Sequence, residues 1–260
     1  QADANKLLVL SQLHLANYQA GDPGRFPWLL IAGYAHQALN TPEEAKKTFE
    51  EARPLALQSG LFFGMVEATF HLARLAFSQG RLTDCLDICQ SGQAEFTILS
   101  NQSGLILPAL GSLEVAEGCV LLEQDHMDEA EQKLLHGIDR MGWGMNPYYL
   151  MTAFLALARV YEIQGRLDDS ISCFDRLDTL WPDFQLITQG FRVLIRLRSN
   201  PEEVSALEAG RDWLHFYRAA LGDSLPIFGL GPVGAAEAYY QANLNWMRLQ
   251  ILLDQPQAVQ

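Results

Sequence analysis

Four pairs of small residues recur along this chain, and each pair brackets a turn-forming segment. The first members are Gly33, Ala73, Gly118 and Ala158, and the second members, each twelve positions later, are Ala45, Cys85, Ala130 and Ser170. Successive pairs are offset by 40, 45 and 40 positions. Two helices can cross closely only where the side chains at the crossing are small. The pattern therefore predicts four helix-turn-helix hairpins in succession.

The segment from Tyr148 to Pro182 shows the unit most clearly. The apolar residues Phe154, Leu157, Ala158 and Tyr161 fall on one helical face. Gly165 is expected to end this first helix in the left-handed conformation that glycine adopts without cost. Asp168 and Asp169 then suit the positive end of a second helix, which would bury Ser170, Phe174 and Leu177. Since such a hairpin cannot cover its own apolar face, it must stack against a copy of itself.

The predicted fold class is all-α, a right-handed superhelical solenoid of helical hairpins forming a single repeat domain over residues 1–260. The hairpins are expected at 26–58, 62–98, 106–140, 148–181 and, with a weaker pattern, 185–220; flanking helices are expected at 4–20 and 234–254. The last helix carries an apolar stripe whose partner is not evident. A second chain or a neighbouring segment is one candidate for covering it.

The fourth unit resembles a tetratricopeptide repeat, position for position. The matching residues are Phe154, Leu157, Ala158, Tyr161, Ser170, Phe174, Leu177 and Pro182. The period exceeds the 34 residues usual in that family. The longer repeats here contain the segment ARVYEIQGRLDDSISCFDRL. They resemble the sensor region of the MalT-like, LuxR-type ATP-dependent bacterial transcription regulators, and the resemblance covers most of residues 25–215. The resemblance implies an ATPase module before such a region and a DNA-binding helix-turn-helix after it.

Composition and motifs exclude several functions. The net charge is −13, with 31 acidic against 18 basic residues, so direct nucleic-acid contact is not expected. No signal peptide and no stretch of about 18 apolar residues is present, which predicts a cytoplasmic chain without membrane contact. The start at Gln1 without a methionine fits either a piece of a larger protein or a processed terminus. The four cysteines are interpreted as reduced packing residues and not as metal ligands; they are Cys85, Cys89, Cys119 and Cys173.

No catalytic or cofactor motif stands out. The segment 229–234 matches G-x-G-x-x-G, but no strand-like run precedes it and Pro232 lacks an amide for a phosphate. The sequence contains no G-x-x-x-x-G-K-[ST], and its histidines form no H-E-x-x-H pair. We therefore expect a non-catalytic protein without a cofactor.

The candidate ligand-binding residues follow from the repeat. By resemblance to tetratricopeptide arrays, the first helix of each hairpin lines the concave surface. The position after the first small residue should face that groove, and residues one turn away extend the stripe: Tyr34, Gln37, Glu67, Phe70, Arg74, Ser112, Cys119, Thr152, Arg159 and Glu162. Such a mixture can hold a small polar effector or an extended peptide. The alternative is that Arg74–Glu67 and Arg159–Glu162 are only intrahelical pairs.

These features predict an effector-sensing or partner-docking domain of a transcription regulator, in which a small molecule or a protein segment occupies the groove. Occupation would change the curvature of the repeats and favour self-association. The alternative is a free-standing scaffold for protein–protein interaction. A P-loop and a helix-turn-helix in the parent reading frame would separate the two hypotheses.

Overall fold

In a computed structural model of the protein, the described residues are 2–104, 107–142 and 147–220, together with Arg248, Leu249 and Leu253. Within them the chain forms α-helices and short 3₁₀ turns and no strand. The helices are α1 Ala2–Leu15, α2 Phe26–Ala38, α3 Pro42–Gln58, α4 Phe62–Ser78, α5 Leu82–Ser103, α6 Gly111–Glu123, α7 Met127–Met141, α8 Pro147–Ile163, α9 Leu167–Leu180, α10 Gln185–Ser199 and α11 Val204–Ala220. The all-α hairpin fold predicted from the repeats is confirmed.

Helix ends differ from the predictions at a few places. Helix α5 continues past residue 98 to Ser103, and α6 begins only at Gly111, after a 3₁₀ turn at Pro108–Leu110. Helix α11 starts at Val204, since the segment before it forms a turn. The predicted last helix, 234–254, lies outside the described residues except for three positions that are helical, Arg248, Leu249 and Leu253.

The four turns inside the hairpins share one backbone geometry. The second residue after each first helix is left-handed, with φ of 57° at Asn40, 72° at Gly80, 64° at Asp125 and 74° at Gly165. The amide of the following residue then bonds back to a carbonyl five positions earlier, at 2.8–2.9 Å in all four turns, for example from Arg166 to Tyr161. This is the hydrogen bond of a Schellman cap, which satisfies a carbonyl that the helix end leaves open. The same backbone conformation therefore recurs in all four turns, although only two of the four left-handed residues are glycines.

The small residues lie where the two helices of a hairpin cross. A Cβ on Gly33 would lie 2.5 Å from Cε1 of Phe49, and one on Gly118 would lie 2.7 Å from Cγ of Leu134. In both hairpins the close neighbour is four positions after the second small residue of the pair. The Ser170 hydroxyl donates to the Ala158 carbonyl at 2.9 Å, which joins α8 to α9. A larger first residue would thus displace a core side chain.

Contacts between Cα atoms divide the chain into two compact units, Gln1–Leu157 and Ala158–Gln260. In the first unit consecutive helices from α1 to α7 pack together, and α4 also packs on α6. The first helices of the second and third hairpins are therefore neighbours. In the second unit α9 packs on α10, and α10 packs on α11. The continuous single domain expected from the sequence stays a prediction. Among the described residues, no helix is long and apolar enough to cross a bilayer.

Candidate binding site around Glu67

Glu67 on α4 is the meeting point of three helices in the first unit. The Tyr34 hydroxyl, from α2, donates a hydrogen bond to Oε1 of Glu67. The Tyr149 hydroxyl, from the start of α8, donates to the same oxygen at 3.4 Å. All three helices are the first helices of their hairpins. One carboxylate thus joins the first, second and fourth hairpins.

Aromatic rings enclose this carboxylate. Phe70, one turn from Glu67, meets the Tyr149 ring edge to face with the centroids 4.7 Å apart. The His71 ring lies 4.8 Å from the Tyr34 ring and 5.1 Å from the Phe49 ring. Phe70, His71 and Tyr149 are buried, whereas Tyr34 and Glu67 are half-buried. The carboxylate therefore lies in a mostly apolar surrounding with an opening to solvent.

Burial dominates the electrostatics of the cluster. It raises the pKa of Glu67, although the hydrogen bonds from Tyr34 and Tyr149 oppose the shift. It also raises the pKa of Tyr34, and the nearby Glu67 charge adds to that effect. For His71, burial holds the pKa well below its ordinary value, and Arg74 lowers it further. At neutral pH His71 is therefore a neutral ring.

Two acceptor-capable atoms in this region are buried without a hydrogen bond. They are Oε1 of Gln37, on the same helix as Tyr34, and Nδ1 of His71. His71 is only 3% exposed. An unsatisfied buried polar atom costs about 1–3 kcal/mol, so such atoms call for an explanation. A ligand that donates hydrogen bonds here would supply one.

The other predicted residues of this unit are placed less centrally. Ser112 is buried, and its hydroxyl donates to the Ala109 carbonyl at 2.7 Å, so it serves the start of α6 and is not free on a groove. Arg74 and Thr152 are half-buried, as is Cys119. The intrahelical Arg74–Glu67 pair offered as an alternative is not formed, and Glu67 accepts hydrogen bonds from the two tyrosines.

In the second unit, Arg159 and Glu162 do form the intrahelical pair, at 2.9 Å. Glu162 also accepts from Arg198 of α10 at 2.6 Å. Burial alone would raise the pKa of Glu162, but the hydrogen bonds from Arg198 and Arg159 hold it below the ordinary value. This part of the predicted stripe is thus a satisfied ion-pair cluster.

Sequence reasoning missed two buried acids on α6. Glu114 and Glu117 are each 4% exposed. Glu114 pairs with Arg140 at 2.7 Å and lies 2.9 Å from His136, while Glu117 pairs with Lys133 at 2.6 Å. A signal was available, because the spacing of the three basic residues places them on one face of α7. The network joins the two helices of the third hairpin.

The cysteines lie within the packing, as the sequence suggested. Cys85 and Cys89 are fully buried on α5, Cys173 is buried on α9, and burial raises the pKa of Cys119 to about 12. Across the part of the chain that the structure describes, no three histidine, cysteine or acidic side chains converge as metal ligands.

These hairpins define a helical-repeat domain of the tetratricopeptide type, a class that serves protein interaction or sensing. The chain belongs to the MalT-like TPR region family, whose sequence profile matches residues 10–260. No sequence among the curated proteins matches it.

Solved structures of similar fold are helical-repeat proteins. The Rap conjugation gene regulator of plasmid pLS20, in complex with the Phr* peptide, has a TM-score of 0.62 at 12% identity, over 96% of this chain and 70% of that one. A Rap protein complexed with competence and sporulation factor gives 0.60 at 12% identity, with the same coverage. A putative kinesin light chain from Podosopora anserina, with TPR-like repeats, gives 0.52 at 13% identity, over 78% and 99%. At these identities the likeness shows the fold alone.

Proposed function

We propose that this chain is the non-catalytic sensing domain of a bacterial transcription regulator, and that it binds an effector at the cluster around Glu67. The observation that carries the proposal is that Tyr34 and Tyr149, from two different hairpins, both donate hydrogen bonds to the carboxylate of Glu67 in a third hairpin. A ligand that binds beside this carboxylate, while the two hydroxyls hold it in place, adds its own contacts to those that join the three helices. Binding is thereby coupled to the arrangement of the repeats.

Membership of the MalT-like family supports the regulatory role. The ligand is either a short peptide segment or a small polar effector. The peptide alternative gains support from the two Rap structures, which share the fold and are named as complexes with the Phr* peptide and with competence and sporulation factor. A free-standing scaffold for protein interaction is the second candidate function, and the parent reading frame decides between them.

The test compares the native chain with the double variant Tyr34→Phe/Tyr149→Phe, which removes both hydroxyls and keeps the rings. Thermal-shift screening against metabolites and against a short-peptide library identifies ligands that stabilise the native chain. We expect the double variant to lose at least about tenfold in affinity for those ligands. Tyr18→Phe, on an exposed tyrosine outside the cluster, is the matched control.

Two outcomes would contradict the proposal. One is the absence of stabilisation by any compound or peptide; the other is equal affinity in the native chain and the double variant. Charge reversal of Arg74 and of Arg159 tests the wider stripe, and unchanged affinity in both variants would remove those two residues from the site. Sedimentation of the full-length regulator with and without ligand tests whether binding favours self-association.

A further inference from the structure

Glu67 is half-buried and, among the described residues, has no cation beside it, unlike the buried Glu114 and Glu117 and the half-buried Asp178. Glu114 pairs with Arg140, Glu117 with Lys133, and Asp178 with Arg192 at 2.7 Å. Among the described residues, Glu67 bonds only to the hydroxyls of Tyr34 and Tyr149. Buried charges in proteins are normally paired, because desolvation of a lone charge is costly. The missing partner of Glu67 is a positive charge.

The surroundings suit a positive charge that donates hydrogen bonds. Both tyrosine hydroxyls donate to Oε1 of Glu67, which leaves Oε2 without a bond to any described residue. Oε1 of Gln37, one turn along α2 from Tyr34, is a second acceptor, and it is buried without a hydrogen bond from any described residue. A primary ammonium or a guanidinium carries several N–H donors and no acceptor. An anionic or purely accepting ligand would leave all of these acceptors unsatisfied.

The aromatic rings add to this preference. The rings of Tyr34, Phe70 and Tyr149 lie next to the carboxylate, as their contacts with Glu67 or with each other show. Aromatic faces attract cations, and the attraction grows when the cation is desolvated. Arg74, two turns further along α4, forms no ion pair with Glu67 and is not among the groups that shift its pKa. The protein as a whole carries a charge of −13, which favours the approach of cations.

The titration of Glu67 agrees with this geometry. Burial raises its pKa in the unliganded chain, and the two tyrosine hydrogen bonds offset that shift only in part. A bound cation would lower that pKa again.

We infer that the carboxylate of Glu67, with the rings of Tyr34 and Tyr149 and the amide of Gln37, binds a primary ammonium or guanidinium group of the effector. This inference rests on the proposed function and names the chemistry of its ligand. The group comes either from a small cationic metabolite or from a basic side chain of a peptide, and the experiment separates these sources.

The experiment uses pairs of probes that differ in a single charge. Nα-acetyl-argininamide is compared with Nα-acetyl-citrullinamide, and an acetylated, amidated pentapeptide library with central arginine is compared with the same library carrying citrulline. Calorimetric titration measures binding to the native chain and to Glu67→Gln. Glu129→Gln, on the exposed start of α7, is the control that removes the same charge elsewhere.

We expect the arginine probes to bind at least about tenfold more tightly than the citrulline probes. We also expect Glu67→Gln to weaken the arginine probes about 10- to 100-fold and Glu129→Gln to leave them unchanged. Equal binding of small and peptide arginine probes would indicate a metabolite, and binding by the peptides alone would indicate a protein segment. The probe comparison on the native chain needs no variant, so it holds even if Glu67→Gln folds poorly.

Equal affinity for arginine and citrulline probes, unchanged binding in Glu67→Gln, or no binding of any cationic probe would overturn the inference. Failure of the proposed function looks different. If neutral or acidic ligands bind and the Tyr34→Phe/Tyr149→Phe variant loses them, the site stands and only the charge assignment is wrong. If no ligand depends on those tyrosines, the proposed function itself fails.

Discussion

The hydroxyl of Tyr149 lies 3.4 Å from the carboxylate of Glu67, although 82 positions separate the two residues in the chain. The third hairpin, α6–α7, lies between them in sequence. The first helix of the fourth hairpin therefore reaches the first helix of the second. Both residues lie in the first unit, so the candidate site lies where the first helices of these hairpins meet.

Glu67→Gln should change how stability depends on pH. The folded-state pKa of Glu67 is raised above its ordinary value of 4.5, so the folded chain binds this proton more tightly than the unfolded chain. Stability from this group is fully present below pH 4.5 and is lost as the pH rises through the folded-state pKa. The variant lacks this loss, because a glutamine does not ionise. Its stability relative to the native chain should therefore increase with pH.

Urea unfolding of both proteins between pH 4 and pH 8 measures the difference. His71, whose pKa is lowered from 6.5, destabilises both proteins equally as the pH falls, so its contribution cancels in the comparison. A difference that stays constant across this range would show that Glu67 does not titrate as described.

Gly33→Ala should destabilise the chain by about 1–3 kcal/mol. The new methyl group would lie 2.5 Å from the Phe49 ring, which is fully buried and has little room to move. Phe49→Leu in the same background should restore part of the loss, since the smaller side chain can yield. Chemical denaturation of the two single variants and the double variant gives the coupling free energy between positions 33 and 49. Ser91→Ala, exposed on α5, is the control and should lie within about 0.5 kcal/mol of the native chain.

Asp125→Gly should stabilise the chain by about 0.5–1 kcal/mol. Asp125 adopts φ of 64°, a conformation that costs an L-residue with a side chain about 1–2 kcal/mol. Part of the gain is offset by the larger entropy of glycine in the unfolded chain. Gly165→Ala, in the equivalent turn at φ of 74°, should change the stability by a similar amount in the opposite direction. Effects of the same sign in both variants would show that the turns are not equivalent.

Arg140→Met should destabilise the third hairpin by about 1–2 kcal/mol, because it leaves the buried carboxylate of Glu114 with only His136. The double variant Glu114→Gln/Arg140→Met should recover most of that loss. Lys46→Met removes an exposed pair with Glu50 at 3.8 Å and should cost less than about 0.5 kcal/mol. Thermal or urea unfolding measures all three proteins.

The hairpins could be predicted because their signals are local. Small residues twelve positions apart, with a turn between them, mark a helix crossing whatever surrounds the hairpin, and the fold follows from repetition. The turns lie between the paired small residues as predicted, also at Asn40 and Asp125, although neither of these is a glycine. Helix ends such as Ser103 were less accurate, because no breaking residue stands at position 98.

The site could be predicted only in part, because it depends on distances between repeats. The pattern placed Tyr34, Glu67 and Phe70 on the same stripe, but it does not predict that Tyr149 contacts Glu67 and Phe70. The same pattern placed Ser112 on the stripe, whereas the packing of α6 buries it. The burial of Glu114 was also missed. An acidic residue is expected at the surface unless the basic residues that pair with it on the neighbouring helix are known.

Repeat proteins whose modules touch only their immediate neighbours can melt module by module. The bond from Tyr149 to Glu67 bypasses a module, and it ties one end of the first unit to its middle. Loss of the second hairpin would therefore remove support from the start of α8 as well as from its neighbours. The first unit should accordingly lose its structure in a single cooperative transition, and partly frayed forms should be scarce.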